Sequence, residues 1–275
     1  MGPQRDQPST RDQPSTAPPP PPRLSIVVPA FNEAGRLQRT LPRLIAYGRA
    51  LGEPVEIIVV DDGSADGTGA VVRQLGKGCE FVVLLQSARN RGKGASVRRG
   101  VLAARGDHVL FTDADLSAPI EEAAKLRGAL GGAEVAIGSR RIGGADVQVR
   151  QPPLRGLAGR LFSRVVALVL LPGIRDTQCG FKAFRRAAAQ EVFARQRLDG
   201  FGFDVEILWL ARRLGYRIAE VPIVWRDDPR THVRLLRDSG GMLLDLVRVR
   251  LNAWAGRYAL PPDRPGPPGD SGSGR

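Results

Sequence analysis

Five short apolar runs punctuate the first half of this chain, and their ends carry residues that a core would not choose. "LSIVVPA" (24–30) ends at Pro29 and leads to Asn32 and Glu33. "VEIIVVDDGS" (55–64) ends in Asp61, Asp62 and Ser64, and "EFVVLL" (80–85) leads to "NRGKG" (90–94). "HVLFTDAD" (108–115) ends on Asp113 and Asp115, and "EVAIGS" (134–139) is followed by Arg140. Between the runs the apolar spacing is helical: Leu37, Leu41, Leu44 and Leu51 in the first interval, "TGAVVRQLG" closed by Gly76 in the second, then "KGASVRRGVLAARG", then "PIEEAAKLRGAL" behind Pro119. Pro42 falls inside the first of these and is expected to kink it or to mark its true start. Strands that are apolar throughout and alternate with helices predict an α/β fold, a mostly parallel Rossmann-like sheet flanked by helices on both faces. Such sheets bind ligands beyond the carboxyl ends of their strands. The unusual residues sit at those ends, so three acidic ends converging on one rim point to a site.

Composition limits the alternatives. With 275 residues, 42% of them hydrophobic, the chain can bury one sizeable core. The expected globular part is 23–259. "RDQPST" repeated in tandem (5–10, 11–16) and five prolines (18–22) predict a disordered or polyproline segment over 1–22, and the Pro/Gly-rich 260–275 predicts another. Two cysteines, Cys79 and Cys179, give no disulfide framework and suit a reducing cytoplasmic setting. His108 and His232 are the only histidines, without zinc-site spacing. No signal peptide is visible, and the longest apolar run, "VVALVLL" (165–171), is too short to span a membrane. The net charge of +13 suits a polyanion: nucleic acid, anionic membrane or phosphorylated substrate. Aromatics at 5%, not interleaved with basic runs, argue against single-stranded nucleic acid.

Each acidic end has two readings. Asp113 and Asp115 are hard oxygen ligands suited to Mg²⁺ or Mn²⁺ carrying substrate phosphates. Taken alone they are equally well a capped turn before Pro119. Asp61 and Asp62 either close an Asx turn or accept hydrogen bonds from a nucleobase or ribose. "NRGKG" can cradle phosphate through Lys93 and two glycines, although it lacks the P-loop pattern and a plain basic turn is the simpler reading. Two amphipathic segments, 152–171 with Arg155 and 242–258 with Trp254 and Tyr258, suit either a membrane surface or a core-facing helix.

In combination these segments resemble a known family. "SIVVPAFNE", "VVDDGSADGT", "NRGKGASVRRG", "DADLSAP" and "GSR", in that order, resemble the family 2 inverting glycosyltransferases of GT-A fold. "RDTQCGFKAFRR" (175–186), "GFDVEILWLARRLGYRIAEVPIVW" (202–225) and "RLNAWAG" narrow the resemblance to dolichyl- or polyprenyl-phosphate β-glucosyltransferases, relatives of the dolichyl-phosphate mannose synthases. The resemblance covers nearly all of 24–257. It implies a nucleotide-sugar donor, UDP-glucose favoured over GDP-mannose, and a polyprenyl or dolichyl phosphate acceptor. It places Pro29, Asn32, Glu33, Asp61, Asp62 and Ser64 on the nucleotide. Lys93 and Ala114 join the donor site, and Asp113 and Asp115 hold Mg²⁺ or Mn²⁺ with the diphosphate. Arg140 and Arg155 grip the lipid phosphate, Gln178 and Phe181 lie near the acceptor, Asp204 and Glu206 stand close by, and Arg230 and Arg234 close over the donor phosphates. Three features depart from the pattern. The N-terminal anchor common in eukaryotic members and the C-terminal spans of related membrane-bound forms are not visible, and a Ser-x-x-Lys-like loop reads "RTHVR".

The implied chemistry is direct. A phosphate monoester has a second pKa near 6, so the acceptor is mostly dianionic at neutral pH and attacks the anomeric carbon without a general base. A hydroxyl acceptor would need one, and Asp204 is the candidate. A cytoplasmic location, peripheral at the membrane's cytoplasmic face, follows from a lipid acceptor without spans. Attachment is then through an anionic membrane surface or an integral-membrane partner. Other readings fit less well. Haloacid dehalogenase phosphatases put their Asp-x-Asp on the first strand, and sugar nucleotidyltransferases need a glycine-rich loop where "PAFNEAGR" stands. A basic membrane- or nucleic-acid-binding module would leave the acidic ends unexplained.

Overall fold

A computed structural model describes residues 20–148, 170–226 and 235–259. Arg155, Arg230 and Arg234, with the 152–169 part of the first amphipathic segment and both predicted tails apart from residues 20–22, lie outside the described residues.

The alternation read from the sequence is present. β1 (Leu24–Ala30), α1 (Ala34–Ala50), β2 (Val55–Asp61), α2 (Thr68–Leu75), β3 (Val82–Gln86), α3 (Lys93–Ala103) and β4 (His108–Thr112) follow one another, then a 3₁₀ turn (Ile120–Glu122), α4 (Ala123–Ala129) and β5 (Val135–Ser139). The second half adds β6 (Asp146–Val147), β7 (Phe181–Arg185), α5 (Arg186–Arg195), α6 (Phe203–Arg213), β8 (Ile218–Pro222), β9 (Val224–Trp225) and α7 (Leu235–Trp254). Seven strands form one sheet in the order β3-β2-β1-β4-β7-β5-β8, and β6 pairs with β9 beside it. The β1–β2, β1–β4, β2–β3 and β5–β8 ladders are parallel.

Period-two alternation feeds two cores, one per face. Leu24, Ile26 and Val28 of β1 pack with Leu37, Leu41 and Leu44 of α1. Val27 points the other way, toward Val97 and Val101 of α3 and the Phe203–Leu210 stretch of α6. α1 runs unbroken through Pro42, which neither starts it nor ends it. Pro42 is exposed, so the carbonyl that its missing N–H leaves unpaired can be met by water.

One strand differs from the parallel expectation. β7 runs antiparallel to both neighbours, pairing Thr112 with Phe181 and Val135 with Phe184. The reversal has a positional consequence. The amino end of β7 lies beside the carboxyl end of β4, so the "DTQCG" segment enters the rim that carries Asp113.

Candidate active site

The rim is built by loops that hold one another. After β1, Asn32 takes a left-handed conformation (φ 54°), donates its N–H to Ser64 Oγ (2.9 Å) and accepts the Ala65 N–H on its side-chain carbonyl (3.0 Å). The Glu33 N–H donates to Thr68 Oγ1, and Asp66 accepts from Ala34 and Thr68, which fastens the amino end of α1 to the amino end of α2. The Glu33 carboxylate is held by Arg36 at 2.6 Å.

Asp61 and Asp62 divide the two roles open to them. Asp61 is buried, accepts the Ser64 N–H and the Gln86 amide, and so closes the turn. Asp62 accepts the Arg91 and Gly92 N–H groups (3.0 and 2.8 Å), so its carboxylate shapes "NRGKG" from across the rim. Gly92 has φ 109°, and a Cβ there would strike the Asp199 carbonyl, so glycine is required by both conformation and space.

The turn after β4 lets two aspartates one residue apart line the same cleft. Leu116 adopts φ 51°, unusual for a leucine, while its N–H donates to Asp113 O and its side chain is buried in the core beside α1. Thr40 Oγ1 of α1 donates to Ala114 O at 2.8 Å. Asp115 Oδ1 accepts the Ser117 N–H at 2.9 Å, and Lys93 Nζ, from the first turn of α3, pairs with Asp113 Oδ1 at 2.6 Å. Burial, then the charge of Asp113, pushes the Asp115 carboxyl above the ordinary carboxylate range. Lys93 is displaced upward in turn: burial opposes its charge, but Asp113 and Asp204 outweigh it. Gly180 of "DTQCG" lies so close to the Asp113 carboxylate that any Cβ would collide with it.

A cleft of about 410 Å³ opens over this rim. It brings together Pro29, Asn32, Glu33, Asp62, Lys93, Asp113, Ala114 and Asp115. Asp61, Ser64, Arg140, Gln178 and Asp204 do not line it. The sequence reading missed two aromatic walls, Phe31 and Phe201, both partly exposed. Among the described residues no third carboxylate, histidine or cysteine joins Asp113 and Asp115 as a metal-binding group. Two hard, mutually repelling carboxylates on an open cleft nonetheless fit a divalent cation whose other ligands are water and substrate oxygens.

Arg140 makes a two-pronged pair with Asp176 (2.7 and 2.8 Å) and also donates its backbone N–H to it. Its guanidinium lies over the Trp225 ring at 4.6 Å. Asp176 is fully buried. Burial opposes ionisation there, but Arg140 wins and brings the carboxyl down to about 2. Glu220 accepts the Arg175 and Asp176 N–H groups and fixes the start of this segment. Gln178 keeps a buried amide nitrogen with no hydrogen-bond partner. Burial pushes the neighbouring Cys179 thiol up to about 12, so it is no nucleophile at neutral pH.

Asp204, at the start of α6, contacts the fully buried Lys182 of β7. Glu206 accepts the Arg197 and Leu198 N–H groups and the Tyr258 hydroxyl, so it latches the 196–198 loop to the end of the described chain. Phe181 is buried in the core. Lys182 and Asp176 were not singled out from the sequence. A lysine inside the apolar strand "FKAF" is the available signal for the first, since a buried ammonium demands a carboxylate partner.

The sequence profile of Glycosyl transferase family 2 matches residues 25–193. Among characterised proteins, dolichyl-phosphate beta-glucosyltransferase of Saccharomyces cerevisiae is 35% identical over 254 residues, covering 86% of this chain and 76% of the relative. The Drosophila melanogaster enzyme of the same name is 38% identical over 234 residues (80% and 70%), and the Homo sapiens one 32% over 252 (86% and 78%). Among solved structures, glucosyl-3-phosphoglycerate synthase from Mycobacterium tuberculosis, in complex with Mn²⁺, UDP and glucosyl-3-phosphoglycerate, superposes with TM-score 0.62 at 22% identity, covering 88% of this chain and 82% of that one. Mannosyl-3-phosphoglycerate synthase from Rubrobacter xylanophilus gives 0.60 at 21% (90% and 79%). Those two likenesses establish the GT-A fold. With the profile spanning more than half of its length and relatives above 30% identity across most of theirs, this chain belongs to glycosyl transferase family 2.

Proposed function

We propose that this glycosyltransferase moves glucose from UDP-glucose to a dolichyl or polyprenyl phosphate with inversion at the anomeric carbon. The observation that carries the reading is the Asp113–Asp115 turn, which opens on the cleft shared with Asp62 and the β1 loop and already holds a cationic partner in Lys93. Asp113 and Asp115 would hold Mg²⁺ or Mn²⁺, which supplies charge neutralisation for the diphosphate leaving group. Pro29, Asn32, Glu33 and Asp62 face the nucleotide, while Asp61 and Ser64 support that wall from behind. Arg140, with Arg155, Arg230 and Arg234 from outside the described residues, serves the anionic groups of acceptor and donor. Gln178, with an amide nitrogen to spare, belongs to the acceptor side.

Two things support a phosphate acceptor in place of a hydroxyl. The relatives above are named for dolichyl phosphate. Asp204, the best candidate for a base on the sequence, is engaged by Lys182. A phosphate dianion needs no base. The lipid acceptor is what places the enzyme, in this reading, peripherally at the membrane's cytoplasmic face; no helix among the described residues is long and apolar enough to cross a membrane.

The test is a panel of UDP-glucose, GDP-mannose and other nucleotide sugars with dolichyl phosphate and either Mg²⁺ or Mn²⁺, scored for glycolipid. Glucosyl-lipid from UDP-glucose, abolished in Asp115→Ala with the fold intact, is expected. Transfer from GDP-mannose alone would overturn the donor, and full activity of Asp115→Ala the site.

A further inference from the structure

α7 is apolar on two opposite sides, and among the described residues only one of them is packed into the core. Leu246 and Val249 are buried in the core that also holds α6. Leu244, Val247 and Leu251 are each more than half exposed, and Trp254 is 88% exposed. Spaced 3, 4 and 3 residues apart, the four fall on one stripe of the helix, roughly opposite the buried pair at about 100° per residue. Arg248, whose exposed side chain also pairs with Asp245 at 2.9 Å, and Arg250, likewise exposed, sit about 80° to either side of that stripe. An apolar strip edged on both sides by arginine, with a tryptophan at one end, matches the interface of an anionic lipid bilayer: side chains enter the acyl boundary while guanidinium groups meet phosphate.

The position of the helix fits that occupant. Asp245 packs so tightly on Gly202 that a Cβ at 202 would collide with it. The next residue back is Phe201, 39% exposed, which forms a wall of the donor cleft. The stripe therefore begins close to the mouth of the site. A second copy of the chain is a poorer fit, because each copy carries +13 and the arginines would face each other.

We infer that the Leu244–Val247–Leu251–Trp254 face of α7 is a docking surface for anionic membrane and sets the cleft at the level of lipid phosphate groups. The inference rests on the proposed lipid acceptor for its purpose, and its test is separable from it. The full chain and Leu251→Glu/Trp254→Glu are floated with phosphatidylcholine vesicles, with and without phosphatidylglycerol. Both substituted side chains are exposed, so the fold should be kept, and unchanged circular dichroism and UDP affinity check this. Glucose transfer is then measured to a short, water-soluble prenyl phosphate and to a long-chain one in vesicles.

The wild-type chain is expected to float with the anionic vesicles and the variant to bind them at least tenfold more weakly. Long-chain transfer should fall in parallel while short-chain transfer is unchanged. Equal flotation of the two proteins overturns the inference. So does a wild-type dimer that the substitutions dissociate, which would make the stripe a contact between copies. Vesicle binding lost in the variant, with neither acceptor glucosylated by the wild type, would uphold the surface and reject the acceptor.

Discussion

Lys93–Asp113 and Lys182–Asp204 are both lysine–aspartate contacts on elements that meet at the carboxyl rim, yet solvent reaches one and not the other. The first pair keeps 21% and 29% of its side chains exposed and lines the cleft. The second keeps 0% and 4%, with Cys179 O accepting from the same ammonium at 2.6 Å and the Phe111 ring 5.2 Å away. A wet pair can be exchanged for another partner at small cost, because water and ligand atoms replace what is lost. A dry pair cannot, because either member left alone is a stranded charge. Lys182–Asp204 is therefore a strut that ties β7 to α6, and Lys93–Asp113 is a counterion in a position where a metal and a diphosphate would compete for both partners.

The largest expected effect tests the strut. Lys182→Met leaves Asp204 buried without a cation and should cost about 3–5 kcal/mol in urea denaturation. Lys93→Met should cost about 1 kcal/mol or less, as an accessible pair does. Equal losses would erase the distinction between the two pairs. Lys182→Met/Asp204→Leu should recover much of the stability, since an apolar replacement of a buried pair is often neutral.

Catalysis should invert the order. Lys93→Met removes a positive charge from the cleft beside the position proposed for the diphosphate, and glucose transfer should fall about 100-fold, roughly 2.7 kcal/mol of transition-state stabilisation. Lys182→Met/Asp204→Leu should retain transfer to dolichyl phosphate within about tenfold, because a phosphate dianion needs no base. Loss of activity there as complete as in Asp115→Ala would show that Asp204 acts chemically after all.

How far these roles could be read from the sequence follows the same division between wet and dry. The apolar runs and their acidic ends disclosed the sheet, the rim and the Asp113–Asp115 pair, because period and composition encode them directly. The antiparallel course of β7 was not legible: "FKAF" is as apolar as a parallel strand, and direction depends on where the preceding loop enters. Asp61 and Asp62 look interchangeable in "VVDDGS", and only the register places one under the turn and the other against Gly92. The engagement of Arg140 by Asp176 was hidden by 36 residues of separation, as was that of Asp204 by Lys182, 22 residues away.

Arg140–Asp176 extends the comparison to the segment proposed for the acceptor, with the carboxylate dry and the arginine partly wet. The folded Asp176 carboxyl sits at about 2, below its ordinary 3.8, so its contribution is complete above the ordinary value and fades as pH falls toward 2. That amounts to about 2 kcal/mol. The stability gap between the wild type and Asp176→Asn should be widest at pH 5 to 7 and close steadily below pH 4 in urea titrations. A gap independent of pH would mean that shape, not charge, holds this segment.

The smallest effect is the most pointed, because it asks whether Lys93 contests the metal position. With Lys93 in place, part of the negative charge of Asp113 and Asp115 is already neutralised in the nucleotide-free protein. Lys93→Met removes the ammonium paired with Asp113 and leaves the two carboxylates to repel each other across the cleft, and these should bind Mn²⁺ about tenfold more tightly, a difference of roughly 1.4 kcal/mol. Electron paramagnetic resonance of free Mn²⁺ reads this without turnover. In the presence of UDP the advantage should vanish or reverse, since the wild-type ammonium can then turn to the diphosphate and release Asp113. Mn²⁺ affinity unchanged by the substitution in both states would make Lys93 a fixed part of the wall, as permanent in its way as Lys182.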